Sequence, residues 1–99
     1  MNYKIKFHPL AEKELNKLDG SVKILVVKQI SKLSNNPEYG EDLGNKHGYD
    51  LTGYKKIYVN NKKIRIIYKI EKEKVLIKII AIGKRNDFEV YQDADKRKE

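Results

Sequence analysis

Cationic and phenolic side chains recur at strand-like spacing in the second half of the chain, and they are suited to act on a phosphodiester. Lys56 and Tyr58 are two residues apart, and Arg65 interrupts a run of isoleucines. Arg85 and Tyr91 follow the apolar run that ends at a glycine. RNA suits such a set, because its 2′-hydroxyl supplies the nucleophile and fixed cations stabilise the pentacoordinate phosphate.

Each residue type has a chemical role open to it. A lysine crowded by arginines has its ammonium form disfavoured, so Lys56 beside Arg65 is a candidate general base. A tyrosine such as Tyr58 or Tyr91 can stack on an unpaired base or hydrogen-bond to a reacting oxygen. Neighbouring lysines are expected to bind the RNA backbone; they are Lys55, Lys63 and Lys84.

Strand parity allows these groups to share one face of a sheet. Lys56 and Tyr58 lie on the same face of their strand, and Arg65 lies opposite its flanking isoleucines. A charge inside an apolar run is rarely a casual surface residue, so we expect a specific role for Arg65. The alternative is an arginine paired with a carboxylate on a half-buried strand. For Lys84 and Arg85, the alternative is that these two charged residues have no specific role and only stand where the strand leaves the core.

Motifs for other chemistries are missing from the sequence. It has no cysteine, no glycine-rich phosphate loop, no HExxH and no nucleophile elbow. His8 precedes a proline and His47 lies in a glycine-rich stretch, and both are expected to be structural or merely exposed. Glu38, Glu41 and Asp42 lack the ligand spacing of a calcium loop. The sequence therefore predicts no metal site and no cofactor.

The net charge of +8 favours an acidic partner, either nucleic acid or protein. Residues 54–74 alone carry eight cations and two carboxylates. The alternative is a solvated hairpin whose lysines prevent edge pairing.

Absence of cysteine fits the cytoplasm, and no apolar run reaches the ~18 residues of a membrane span. The length predicts one domain, 1–99.

The periodicity of the apolar residues predicts the elements that position these groups. Residues 3–7 alternate as a strand, and a helix that begins at Pro9 is expected to end at Asp19-Gly20. Ser21 is expected to cap a second helix, which ends before Pro37.

The remaining residues predict a loop followed by a sheet. Residues 37–53 contain four glycines and are predicted to be a loop with no core face. Antiparallel strands are predicted at 55–59, 63–70 and 74–82, and a short helix at 87–96. The last strand is apolar at almost every position, so it is expected to be central, with both faces covered.

Motifs along nearly the whole chain resemble those of RelE-family toxins, the toxic half of type II toxin–antitoxin pairs. They are AEKELNKL at 11–18, LTG at 51–53, IRIIY at 64–68, IGKR at 82–85 and EVY at 89–91. The resemblance implies an α+β fold, in which two N-terminal helices pack on a twisted, mainly antiparallel four-stranded sheet and a short C-terminal helix follows. This agrees with the elements predicted from periodicity.

The implied function is a ribosome-dependent endoribonuclease that enters the A site and cuts mRNA by 2′-hydroxyl attack, without a metal. Carried across by motif, Arg65 is expected to bind the scissile phosphate and Arg85 to stabilise the transition state. Tyr91 is expected to stack on a base, and Lys56 to assist proton removal. Tyr58 departs from the pattern, because the ribonucleases of the family often have a second basic residue there.

Two alternatives to the ribonuclease remain at this stage. The same fold carries gyrase-poisoning toxins of the ParE branch, and a non-catalytic RNA-binding or regulatory module needs only the basic hairpin. The resemblance also implies a cognate antitoxin that covers the basic surface, and the charge of +8 independently favours an acidic partner segment. No direct binding of DNA by the toxin alone is expected.

Overall fold

The computed structural model describes residues 2–98 and contains a five-stranded sheet with helices on both faces. The elements in chain order are β1 (Lys4–Phe7), α1 (Pro9–Asn16), α2 (Gly20–Asn35), β2 (Glu41–Lys46), β3 (Tyr49–Val59), β4 (Ile64–Glu71), β5 (Leu76–Lys84) and α3 (Glu89–Arg97). The spatial order is β1-β5-β4-β3-β2, with β1 parallel to β5 and all other neighbours antiparallel. The predicted α+β class and mainly antiparallel sheet are confirmed.

The prediction of a loop over residues 37–53 is wrong, because this segment holds β2 and the beginning of β3. The sheet therefore has five strands instead of the four predicted. Leu43 and Leu51 are buried in the core, at 8% and 0% exposure. His47 and Gly48 form the two-residue turn between the strands, with φ angles of 53° and 84°. Two positive φ angles are what a type I′ hairpin turn requires, so the glycine-rich composition concealed a hairpin.

The helix boundaries differ from those predicted at two points. The first helix ends at Asn16, before the predicted Asp19-Gly20. Ser21 is not the cap of α2, because the helix begins at Gly20 and Asp19 holds the N-cap position. The Ser21 hydroxyl instead donates a hydrogen bond to the Asp19 carboxylate, at 2.8 Å. Within residues 2–98, no helix combines the length and the apolar character needed to cross a membrane.

Each face of the sheet carries its own apolar cluster, which confirms that β5 is an interior strand covered on both sides. One cluster lies beneath α1 and α2 and includes Ile57, Ile64, Ile66, Tyr68 and Ile79. The other lies beneath α3 and includes Leu51, Tyr54, Ile67, Ile80 and Tyr91. The odd-numbered and even-numbered residues of β4 divide between the two clusters up to Ile67, as strand parity predicts.

An ion pair and a close backbone approach hold α3 against β5. The Arg97 guanidinium donates to both carboxylate oxygens of Glu14, at 2.8 and 2.9 Å, and to the Ile80 carbonyl at 2.9 Å. Gly83 leaves room for the helix, because a Cβ atom at that position would lie 3.3 Å from the Val90 side chain. α3 is thereby held at the end of the sheet where the predicted functional residues converge.

Candidate active site

A basic cleft of about 850 Å³ lies where the β2–β3 and β3–β4 turns meet the segment that joins β5 to α3. Its cationic lining residues are Lys46, Lys56, Lys62, Lys63, Arg65, Lys84 and Arg85. Among residues 2–98, no aspartate or glutamate lines it. Because no acidic residue within 2–98 lies at this cleft, its cations leave an uncompensated positive field suited to a polyanion.

Arg65 is the buried cation of this cleft, with only 3% of its surface exposed. Its guanidinium carbon lies 4.6 Å from the centre of the Tyr91 ring and 5.8 Å from that of the Phe88 ring. Within residues 2–98, its Nε and Nη1 atoms have no hydrogen-bond partner. Buried donors without an acceptor are costly, so the charge of Arg65 is left uncompensated beneath the cleft and adds to the attraction of the cleft for an anion. The alternative of an arginine paired with a carboxylate does not fit these contacts.

Tyr58 lies between the cations and is the residue that faces Arg65 across the β3–β4 pairing. Lys56, which we expected beside Arg65, instead pairs in register with Ile67 and donates a hydrogen bond to the Tyr58 hydroxyl at 3.0 Å. This hydrogen bond, assisted by Arg65 and opposed by partial burial, lowers the pKa of Tyr58 to about 8. The phenol is therefore easier to deprotonate than an ordinary tyrosine.

Arg85 is an exposed cation at the opposite wall of the cleft. Its guanidinium carbon lies 5.6 Å from the centre of the Tyr58 ring, so Arg65 and Arg85 both approach the same ring. The Arg85 backbone N–H donates to the Lys63 carbonyl at 2.8 Å, which fixes the β5–α3 segment to the β3–β4 turn. Lys63 and Lys84 are exposed along this wall, in positions where a polyanion could contact them.

Tyr91 is present at the cleft but is only 1% exposed, which conflicts with the base-stacking role expected from the family pattern. The His47 ring covers it, with the two ring centres 5.1 Å apart and the planes inclined by 24°. Phe88 lies against His47 with a centre separation of 4.5 Å. Tyr91 therefore serves as packing beneath His47 and beside Arg65.

His47 and Phe88 are the cleft residues that the sequence analysis missed. His47 was expected to be structural or merely exposed, and the site was expected to work without histidine. The signal in the sequence was Gly48, which can adopt the positive φ that the second position of a two-residue hairpin turn requires, whereas the preceding EDLGNK carries no strand pattern. Recognising that turn would have placed His47 beside the ends of β3 and β4.

Lys55 lies outside the cleft and does not fit the predicted RNA-binding role. It is on the other face of β3 from Lys56, and its ammonium group pairs with Asp42 at 2.8 Å. Parity explains the difference, because adjacent strand residues point to opposite faces. In the described part of the chain, no cluster of three or more His, Asp or Glu side chains could hold a metal ion.

The sequence and fold match known toxins. Residues 5–95 match the family model of the ParE-like toxin of type II bacterial toxin–antitoxin systems. Over 99 residues, the chain is 31% identical to the mRNA interferase toxin RelE of Escherichia coli K12, with 98% of each chain covered. This chain belongs to the RelE family of ParE-like toxins.

Solved structures of other members share the fold of this RelE-family toxin. A doubly substituted E. coli RelE in the free state aligns with a TM-score of 0.80 and 29% identity, with 98% of each chain covered. The same substituted protein in complex with a peptide of the antitoxin RelB aligns with a TM-score of 0.70 and 29% identity, with both chains fully covered. The likeness therefore includes the β2–β3 hairpin and α3, the elements that frame the cleft.

Proposed function

We propose that this RelE-family toxin inhibits translation as a ribosome-dependent endoribonuclease, which cuts mRNA in the A site by metal-free attack of a 2′-hydroxyl. The observation that carries the proposal is Arg65, which lies buried beside Tyr58 and near Arg85 in a cleft that no carboxylate of residues 2–98 lines, with two donors that have no partner within those residues. The name of its relative as an mRNA interferase supports the same activity.

The mechanism begins with positioning of the scissile phosphate. Arg65 binds its non-bridging oxygens once the rings that cover its two unpaired donors move aside, and Arg85 approaches from the exposed wall to neutralise the charge that develops there. The 2′-oxygen then forms a bond to phosphorus as the bond to the 5′-oxygen breaks. This step leaves a 2′,3′-cyclic phosphate and a 5′-oxyanion, which takes a proton from water to become the 5′-hydroxyl. Preorganised cations are effective in this step because they need no reorganisation as the charge develops.

Proton removal from the 2′-hydroxyl falls to the pair formed by Lys56 and Tyr58. With a Tyr58 pKa of about 8, roughly a tenth of the phenol is deprotonated at pH 7. Lys56 stabilises that phenolate by its hydrogen bond and supplies the positive charge that the tyrosine lacks. The departure from the family pattern at Tyr58 is therefore consistent with catalysis.

The direct test is inducible expression of the toxin without a partner, followed by mapping of mRNA 5′ ends. We expect growth arrest and new 5′-hydroxyl ends within translated codons, and loss of both in Arg85→Ala. The same pair of proteins added to purified, mRNA-programmed ribosomes tests ribosome dependence. Damage to DNA with intact mRNA would favour the gyrase-poisoning alternative. Binding of RNA without growth arrest would favour the non-catalytic module.

A cognate antitoxin and a cytoplasmic location complete the proposed function. The uncompensated cations of the cleft and the net charge of +8 suit an acidic antitoxin segment, and a relative of this chain is known in complex with an antitoxin peptide. Co-expression with the antitoxin should abolish arrest and give a complex whose association slows with added salt. A complex that leaves Arg65 and Arg85 fully open would contradict this mode of inhibition.

A further inference from the structure

The aromatic surface that the cleft offers to solvent belongs to Phe88 and His47, since Tyr91 lies buried beneath it. Phe88 is 55% exposed, and His47 is exposed at the turn between β2 and β3. Exposed aromatic side chains that lie together at the rim of a polar cleft often mark a recognition site. Here two such rings lie 4.5 Å apart, centre to centre, at the wall of a basic cleft.

The backbone holds both rings in fixed positions. His47 has a φ of 53°, a left-handed conformation that most L-residues avoid and that asparagine or glycine adopts more easily. Phe88 stands at the N-cap position of α3, and its carbonyl accepts a hydrogen bond from the Tyr91 N–H at 3.1 Å. Histidine is among the residue types enriched in this conformation, so the turn accommodates His47 and leaves its ring beside Phe88.

The two rings lie beside the proposed phosphate site. The guanidinium carbon of Arg65 is 5.8 Å from the centre of the Phe88 ring, and Tyr91 fills the space between Arg65 and His47. A nucleotide whose phosphate binds Arg65 would therefore have the exposed Phe88 ring next to its base, with the His47 ring packed against Phe88 at an inclination of 38°. Stacking on aromatic rings is the common means of holding an unpaired base, and it is tolerant of sequence.

We propose that Phe88 and His47 form a stacking platform for the nucleobase adjacent to the scissile phosphate, in place of the buried Tyr91. The inference rests on the proposed ribonuclease function and assigns these two residues a positioning role within it. By holding the base, the platform orients the sugar so that its 2′-hydroxyl is directed at the phosphorus.

The test measures binding separately from cleavage. A short mRNA with 2-aminopurine at the stacked position and a 2′-deoxy sugar at the scissile bond is placed in the A site of purified ribosomes and titrated with the toxin. We expect the wild type to quench the 2-aminopurine fluorescence. Phe88→Ala and His47→Asn should each weaken binding on the order of 10-fold and lose most of the quenching. Phe88→Trp and His47→Phe should retain it, because a ring remains.

The variants are chosen to keep the fold and to separate the possible roles of His47. Asparagine suits the left-handed turn, so His47→Asn should melt at or above the wild-type temperature. Unchanged binding and quenching in both Phe88→Ala and His47→Asn would overturn the platform. Equal loss in His47→Phe and His47→Asn would also overturn it, because the ring would then not be the active feature. The substrate cannot be cleaved, so these outcomes do not depend on whether the toxin is a ribonuclease. The comparison of Arg85→Ala with the wild type on programmed ribosomes tests the ribonuclease proposal separately.

Discussion

Tyr58 and Arg65 lie directly opposite each other on β3 and β4, with the Arg65 guanidinium carbon 5.5 Å from the centre of the Tyr58 ring. Arg85 approaches the same ring and Lys56 hydrogen-bonds to its hydroxyl, so three cations surround one phenol. Such surroundings favour a phenolate. The tyrosine that departs from the family pattern is thus the residue on which the cations of the cleft converge.

Replacement of Tyr58 by phenylalanine tests its role as a base. Only the phenolate accepts a proton, so the wild-type rate should rise about tenfold per pH unit below the pKa of about 8 and level off above it. Tyr58→Phe should cleave about 100-fold more slowly and lose that rise. The measurement is single-turnover cleavage on programmed ribosomes between pH 6 and 9. A variant that keeps the wild-type pH profile would rule out the phenolate.

Lys55 and Lys56 form a matched pair, because they are neighbours in the sequence and lie on opposite faces of β3. Lys56→Ala should slow cleavage by at least about tenfold, since it removes the main cause of the lowered Tyr58 pKa. Ultraviolet titration of the phenol should show that pKa rising toward its ordinary value. Lys55→Ala loses only an ion pair with exposed Asp42, so cleavage should be unchanged and unfolding free energy should fall by less than about 1 kcal/mol. Equal effects of the two substitutions on cleavage would contradict the assignment.

The Glu14–Arg97 pair should couple the position of α3 to activity. Glu14→Gln leaves a largely buried guanidinium short of its carboxylate, and we expect a loss of about 2 kcal/mol in unfolding free energy. The substitution should also slow cleavage, because α3 carries Tyr91 and Phe88 at its start. Lys98→Ala is the control, since it removes a partly exposed pair with Asp95 and an exposed hydrogen bond to the Asp50 carbonyl. Chemical denaturation measures the effect on stability, and mRNA cleavage on programmed ribosomes measures the effect on activity. A Glu14→Gln variant as stable and as active as the wild type would show that the pair is dispensable.

Tyr68 should stabilise the fold by joining β4 to the segment before β2. Its hydroxyl donates to the Pro37 carbonyl at 2.7 Å and accepts from the Gly40 N–H at 2.9 Å. Tyr68→Phe should therefore cost about 1–3 kcal/mol of unfolding free energy, because it leaves the Gly40 N–H without this acceptor. Tyr39→Phe, at an exposed tyrosine, is the control and should change little.

The same tyrosine predicts a pH dependence of stability. Burial raises the pKa of Tyr68 to about 12, above the ordinary value of 10, so the folded state holds this proton more tightly than the unfolded state. The resulting stabilisation is complete below pH 10 and is lost as the pH rises from 10 to 12. Urea midpoints measured across this range should fall less steeply in Tyr68→Phe than in the wild type. Parallel curves would show that Tyr68 does not titrate with unfolding.

Much of the fold could be predicted because its signals are local. Alternation and apolar runs identify the strands around Ile57, Ile66 and Ile79, and parity correctly divided β4 between two faces. The β2–β3 hairpin was missed because Leu43 and Leu51 are too far apart to produce a visible pattern among glycines and charges. Their burial depends on α3, which is distant in the sequence and covers them only after folding.

By itself, the sequence indicated which residues could act on a phosphodiester and which strand faces they occupy. The type of each residue and the alternation of side chains between the two faces of a strand are local properties. Lys56, Tyr58 and Arg65 could therefore be placed on one surface from the sequence. Only the tertiary structure decided their partners. The register of β3 and β4 put Tyr58 opposite Arg65, and the β2–β3 turn brought His47 over Tyr91. Both depend on contacts between segments far apart in the chain, which local patterns do not specify.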